Sequence, residues 1–131
     1  MRSLTAQRLI AVPFLVLGAW CLLFPQMVER LGFTPEYYHG TATTALMMGC
    51  FGAQAMLAGL FAFFSRFTRT TFLVYGIALL PFFWFNYWFV FVVPMFNQWM
   101  LLDFAANVAM LALCVIGYRA SAERTATGHS T

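Results

Sequence analysis

Three polar side chains stand inside otherwise apolar segments in the second half of this chain. Asp103 is the one acidic residue within such a segment, and Asn107 follows it one helical turn later. Asn86 lies within the preceding apolar segment. At a helical rise of 1.5 Å per residue, Asp103 is expected roughly 8 Å from the start of its helix, and Asn86 roughly 10 Å from the end of the preceding helix. These two helix ends lie on the same side of the predicted bundle. The three side chains are therefore predicted to share one layer, with Gln54 deeper beneath them.

Two kinds of chemistry fit this polar layer. A carboxylate at the centre of a membrane costs about 2.5 to 3.5 kcal/mol on insertion scales, so something must offset that cost. In a functional interpretation, Asp103 accepts a proton or hydrogen-bonds a ligand in a small pocket, and the amides orient it. In a structural interpretation, Asp103 and the amides satisfy one another, with Arg30 as charge partner, and fix the register of the helices.

Other motifs in the chain offer little chemistry. His39 lies near Glu36, but the pair lacks a third protein ligand, so we predict no metal site. We find no glycine-rich phosphate loop and no nucleophile motif. No cofactor is evident. A quinone, a lipid or a pigment would suit the aromatic run from Phe82 to Phe91, although lipid contact or core packing explains the same residues.

The elements that position the polar residues are apolar helices. The chain has 131 residues, of which 63% are hydrophobic, 19% aromatic and only 8% charged. Because a hydrocarbon core roughly 30 Å thick needs about 20 helical residues, four apolar runs predict four spans. The only long connection, residues 26–41, has apolar spacing that suits a short interfacial helix. We place the spans at residues 6–24, 43–64, 71–93 and 98–118, followed by a polar cytoplasmic tail at 119–131.

The arginines predict how the spans are oriented. Positive charge near helix ends is retained on the cytoplasmic side. One side of the predicted spans carries only Arg30, and the other side carries Arg2, Arg8, Arg66, Arg69, Arg119 and Arg124. We therefore predict an all-α integral membrane four-helix bundle with up-down topology, both termini being cytoplasmic in the inner membrane. Arginines spread in this way do not form the basic stripe of a nucleic-acid-binding protein.

Small residues recur along the second predicted span. Ala45, Gly49 and Ala53 are spaced every four positions, and Gly52 and Gly59 add to them. Such spacing lets two helix backbones approach closely where lipid gives no hydrophobic drive for association. This face is predicted to pack against another helix of the same bundle or against a second chain.

The chain also resembles a known family. Gly18, the Phe24-Pro25 pair after the first span, Leu31-Gly32, and the small residues from Gly49 to Gly59 are similar to features of short four-helix bacterial membrane proteins of the DoxX-like kind. The resemblance implies a membrane partner of quinone-linked oxidoreductases. No catalytic motif of that family transfers onto residues of this chain.

Two functional classes follow from these patterns. The first is a small multi-pass membrane protein that acts as an accessory or structural subunit, or that binds lipid or another hydrophobic ligand. Its expected partners are the lipid bilayer and a membrane protein or a second copy of the chain. The second class is a membrane enzyme or carrier that uses a polar pocket around Asp103. The feature that separates the two classes is whether Arg30 and the amides fully satisfy Asp103, since a fully satisfied Asp103 favours the first, non-enzymatic class.

Overall fold

The computed structural model describes the backbone of residues 2–127 and the side chains of residues 2–122. Within this part the chain is helical throughout, apart from short connections and one isolated bridge. The helices are α1 (Ser3–Leu23), α2 (Pro25–Gly32), α3 (Ala42–Phe64), α4 (Arg69–Tyr87) and α5 (Leu101–Thr127). A π-helical turn, Trp88–Val92, continues α4, and a 3-10 turn, Gln98–Met100, precedes α5.

Four of these helical segments are long and apolar enough to cross a membrane, which confirms the prediction of four long apolar helices. They run over Ser3–Leu23, Ala42–Phe64, Arg69–Val92 and Gln98–Ala122. The first span begins a few residues earlier than predicted. The last helix continues to Thr127, so that most of the predicted polar tail extends α5, and residues 128–131 of that tail lie outside the described part. The short helix expected in the long connection is α2.

Helix boundaries follow local capping chemistry. Thr41 and Thr44 form a capping box at the start of α3, and Thr68 and Thr71 form another at the start of α4. Pro25 occupies the first turn of α2, where a missing amide hydrogen costs nothing. These caps satisfy backbone groups that would otherwise be unpaired in a membrane.

The long helices pack in the order α3, α1, α5, α4. Helix α1 contacts both α3 and α5, and α5 contacts both α1 and α4, whereas α3 makes few contacts with α4 or α5. The core between α1, α4 and α5 consists of Ala6, Ile10, Phe72, Leu79, Met110 and Cys114. Consequently α3 and α4 each have a long face that the other described residues leave uncovered.

Helices α1 and α3 approach closely through glycine. A methyl group added at Gly52 would lie 2.7 Å from the carbonyl oxygen of Gly18, and one added at Gly18 would lie 2.7 Å from the backbone nitrogen of Met56. Gly59 lies against Leu15 farther along the same seam. The two helices run antiparallel, since residues early in α1 meet residues late in α3. Small side chains thus permit backbone contact, as membrane helix pairs require.

The two ends of the molecule differ. One, which we call the α2 end, carries α2 and the connection between α4 and α5. There the Thr34 amide donates to the Met95 carbonyl at 3.0 Å and the Asn97 amide donates to the Gly32 carbonyl at 2.7 Å. The other, which we call the basic end, carries the start of α1, the connection between α3 and α4, and the end of α5.

Candidate intramembrane polar site

The polar layer forms where α4 ends and α5 begins, near the α2 end. Asn86 occupies the last turn of α4, and the turns between the two helices bring the first turn of α5, with Asp103, back against it. Asn107 follows one turn later. A carboxylate in the first turn of a helix interacts favourably with the helix dipole, which suits the place of Asp103.

One carboxylate oxygen holds the cluster together. Oδ2 of Asp103 accepts a hydrogen bond from Nδ2 of Asn86 at 2.9 Å and another from Nδ2 of Asn107 at 3.0 Å. Nδ2 of Asn86 also donates to the Phe82 carbonyl at 3.0 Å within α4. Asn86 is 4% exposed and Asn107 is 3% exposed, whereas Asp103 is half-buried, so the amides bond the carboxylate from the interior side of the cluster. The predicted layer of three polar side chains is present, and it joins α4 to α5.

Some hydrogen-bonding capacity in the cluster is unused. Oδ1 of Asn86 is buried and has no hydrogen-bond partner. Oδ1 of Asp103 likewise takes part in no hydrogen bond among the described residues. A buried acceptor without a donor costs about 1–3 kcal/mol. The cluster can therefore receive one or more donors, such as a hydroxyl, an amine or a water molecule, without losing its present bonds.

Two of the predicted site residues lie away from the cluster. Arg30, in the last turn of α2, is exposed, and within the described part of the chain it forms no ion pair with Asp103. Gln54 is exposed on α3, a helix that makes few contacts with α4 or α5. Amide groups, instead of a cation, thus stabilise the Asp103 carboxylate.

Sequence reasoning missed Gln7, a second buried polar group. Its side-chain amide donates to the carbonyls of Ala62, at 3.0 Å, and Ser65, and its oxygen accepts from the Phe67 amide at 2.9 Å. Gln7 is 2% exposed. It satisfies backbone groups at the end of α3 and in the following connection, and so fixes the start of α1 at the basic end.

Sequence reasoning also missed Glu29, which is buried at the α2 end. Its carboxylate accepts hydrogen bonds from the hydroxyl of Thr44 at 2.9 Å, the Gly40 amide at 3.1 Å and the His39 amide at 3.3 Å. The acid therefore lies at the N-terminus of α3, where a negative charge is favoured. The residue types of α2 carry no signal for this burial, because Glu29 and Arg30 are adjacent charged residues and only the structure shows that the first is buried and the second exposed.

The small residues of α3 divide into two faces. Gly52 and Gly59 are buried against α1, as predicted for a packing face. Gly49 has no atom within 4 Å of a Cβ added there, and Ala53 is exposed. Ala45 is half-buried. One face is thus covered within the chain, and a second small-residue face, Gly49 with Ala53, is uncovered.

The aromatic run of α4 is largely exposed. Trp84 lies 58% exposed and stacks on Trp88 with ring centroids 5.5 Å apart. Tyr87 is exposed, and Phe91, in the π-helical turn, is 68% exposed. These rings present a continuous aromatic surface on the outer side of α4, next to the end that carries the polar cluster.

Known proteins give no guide to the chemistry of this cluster. No protein-family model, no curated protein and no solved structure matches the chain.

Proposed function

We propose that this chain is a small multi-pass inner-membrane protein that works as an accessory or structural subunit, held to a membrane partner or a second copy through the uncovered face of α3. The observation that carries the proposal is the pair of small-residue faces on α3. Lipid chains gain nothing from glycine, whereas a second helix needs small residues for close approach. The Gly52 face meets α1, whereas no atom of the described residues lies within 4 Å of a Cβ added at Gly49.

The orientation we propose places the basic end in the cytoplasm. Arg8, Arg66 and Arg119 are exposed at that end, and Arg30 is exposed at the other. The positive-inside bias then puts both termini of an up-down bundle on the cytoplasmic side of an inner membrane.

Cross-linking tests the proposed partner face. Ala53→Cys and, as a control on the other side of the same helix, Phe51→Cys are made in a Cys50→Ser background, and membranes are oxidised; Phe51 is exposed and lies two positions before Ala53, so that it faces away from it. We expect Ala53→Cys to form a dimer or a heterologous adduct that mass spectrometry identifies after extraction in mild detergent, and Phe51→Cys to stay monomeric. A monomer for both variants, with no protein copurified, would contradict the proposal.

The exposed aromatic surface on α4 supports a related role in binding a hydrophobic ligand. A quinone, a lipid or a pigment is a flat or elongated molecule that can stack on Trp84 and Trp88. The resemblance to DoxX-like proteins favours a quinone among these. Mass spectrometry of molecules that copurify with the wild-type chain and with Trp84→Leu tests this role, since the ligand should be depleted in the variant.

A second candidate function, a membrane enzyme or carrier centred on Asp103, is favoured by the unpaired oxygens of the cluster. Oδ1 of Asn86 and Oδ1 of Asp103 are acceptors for which the described residues supply no donor. A substrate carrying a proton or an amine would supply one. Asp103→Asn separates this candidate from the first, because it removes the ionisable group and keeps an acceptor of the same shape.

A further inference from the structure

The basic end gathers exposed arginines from four places in the chain. The start of α1, the connection between α3 and α4, the start of α4 and the end of α5 all contribute, and Gln7 holds the first two together. The arginines with described side chains at this end are Arg2, Arg8, Arg66, Arg69 and Arg119, and all are exposed. The fold thus concentrates positive charge at one end of the helices.

No described carboxylate neutralises that charge. The acids whose side chains are described are Glu29, Glu36 and Asp103, and each lies in α2, in the segment after it or in the first turn of α5, toward the opposite end. In the sequence of the last helix, Glu123 and Arg124 contribute one charge of each sign. An anion supplied from outside the chain is therefore the natural counter-charge for the basic end.

Two of the arginines are held in place by aromatic rings. The guanidinium of Arg8 lies 5.3 Å from the ring centroid of Phe63, and that of Arg69 lies 4.3 Å from the ring centroid of Tyr118. A guanidinium placed over a ring keeps its N–H edges free to donate. These groups are thus positioned before an anion arrives, which lowers the entropic cost of binding.

An apolar groove lies beside these charges. It has a volume of about 210 Å³ and is lined by Leu57, Leu60, Phe61, Phe64 and Ser65, along the last turns of α3. Arg66 follows Ser65 directly. The groove and the arginine suit the two parts of a phospholipid, because the apolar groove can hold an acyl chain and the arginine can bind the charged headgroup.

We propose that the basic end is a binding site for an anionic phospholipid. Arg66 and Arg8 bind the headgroup phosphate, and one acyl chain lies along the groove on α3. This inference rests on the membrane-spanning arrangement in the proposed function, and not on the proposed protein partner. Charge complementarity selects an anionic lipid over a zwitterionic one, because the described side chains of the basic end include cations and no carboxylate that would pair with a choline group.

Lipid titration of the full-length chain tests the proposal. The protein in mild detergent is titrated with phosphatidylglycerol, with phosphatidylcholine of the same chains, and with inorganic phosphate, while native mass spectrometry counts bound lipid and thermal unfolding is followed. We expect bound phosphatidylglycerol and a raised unfolding temperature, and neither effect with phosphatidylcholine or with phosphate. Equal binding of both lipids, or the same stabilisation by phosphate alone, would overturn the proposal.

Matched variants locate the site. Arg66→Gln is expected to weaken phosphatidylglycerol binding about fivefold, the effect of one basic residue near an anionic membrane surface. Arg30→Gln, which changes another exposed arginine at the α2 end, is expected to leave the binding unchanged. Leu60→Trp, which fills the groove, should weaken binding without changing the charge. Equal losses in Arg66→Gln and Arg30→Gln, with both proteins folded by circular dichroism, would refute the site.

The experiments distinguish failure of the proposed protein partner from failure of the proposed lipid site. If Ala53→Cys forms no adduct while phosphatidylglycerol still binds at the basic end, the partner is refuted and the lipid site stands. If the adduct forms and the lipid shows no preference, the reverse holds.

Discussion

The amide of Asn86 donates to the Asp103 carboxylate across 2.9 Å, and this bond joins the last turn of α4 to the first turn of α5. Asn107 donates to the same oxygen from one turn deeper. The two helices are therefore pinned where the chain reverses direction. Where the dielectric constant is low, such hydrogen bonds are stronger than in water, and leaving a polar group unpaired costs more free energy.

Substitution of Asp103 should separate structure from function. Asp103→Leu removes the acceptor shared by Asn86 and Asn107 and should lower the free energy of unfolding by about 1–3 kcal/mol. Asp103→Asn keeps an acceptor, and its new amide can donate to the unpaired Oδ1 of Asn86, so we expect a smaller loss. Unfolding in detergent measures both. A wild-type stability for Asp103→Leu would mean that the cluster does not hold the helices.

The activity of the Asp103→Asn variant distinguishes a structural role of Asp103 from a chemical one. If the protein works as a structural subunit, the Asp103→Asn variant should still assemble with its partner, in proportion to the amount of protein that remains folded. If Asp103 handles a proton or a cationic ligand, Asp103→Asn should abolish activity in a folded protein, because only the ionisable group was removed.

Two glycines one turn apart on α3 should respond differently to leucine. At Gly52 a side chain would collide with the backbone of α1, and we expect a loss of about 1–3 kcal/mol in stability. At Gly49 a side chain meets open space within the chain, so stability should stay near wild type while any partner contact is lost. Thermal unfolding and size-exclusion chromatography with light scattering distinguish the two outcomes. Equal destabilisation by both changes would contradict the two-face description of α3.

The Glu29 carboxylate should control order in the connection before α3. Glu29→Ala leaves the amides of His39 and Gly40 without their acceptor, at a cost of about 1–3 kcal/mol. Glu29→Gln retains one oxygen for these amides, and its NH₂ can donate to the Thr44 hydroxyl, so the effect should be milder. Hydrogen exchange of residues 38–44 reports the difference. Equal protection in the wild type and in Glu29→Ala would show that the carboxylate is dispensable.

Cysteine labelling tests the orientation. In a background without Cys50, the one cysteine that is exposed in the structure, single cysteines are placed at Glu36 and at Ser65. An impermeant reagent added outside the cell should label Glu36→Cys and spare Ser65→Cys until the membrane is permeabilised. Labelling of Ser65→Cys from outside would reverse the proposed topology.

The sequence predicts the spans and the polar layer because both follow from local periodicity. Apolar runs near 20 residues long identify the helices, and helical rise alone brings Asn86 and Asp103 to one depth. No such rule predicts a charge partner for Asp103. Arg30 is on the same side of the predicted spans as Asp103, but the lateral position of α2 depends on tertiary packing that charge counting does not describe.

Long-range polar contacts are the other part that the sequence does not reveal. Gln7 bonds to the Ala62 carbonyl, which lies 55 residues away, and backbone acceptors at a helix end leave no residue-type signal. The division of small residues on α3 is hidden for a similar reason. Gly49 and Gly52 belong to one pattern in the sequence, and only the position of α1 shows which of them is covered.

The packing order α3, α1, α5, α4 has a consequence for biosynthesis. Helix α1 can pair with α3 as soon as the second span has entered the membrane, but its other face waits for α5, the last span to be made. Until then Ala6 and Ile10 remain in contact with lipid or with insertion machinery instead of the core. We therefore expect the α1–α3 and α4–α5 hairpins to join last, through the contact between α1 and α5, and we expect truncation before α5 to leave the α1–α3 hairpin without the core that α1, α4 and α5 form together.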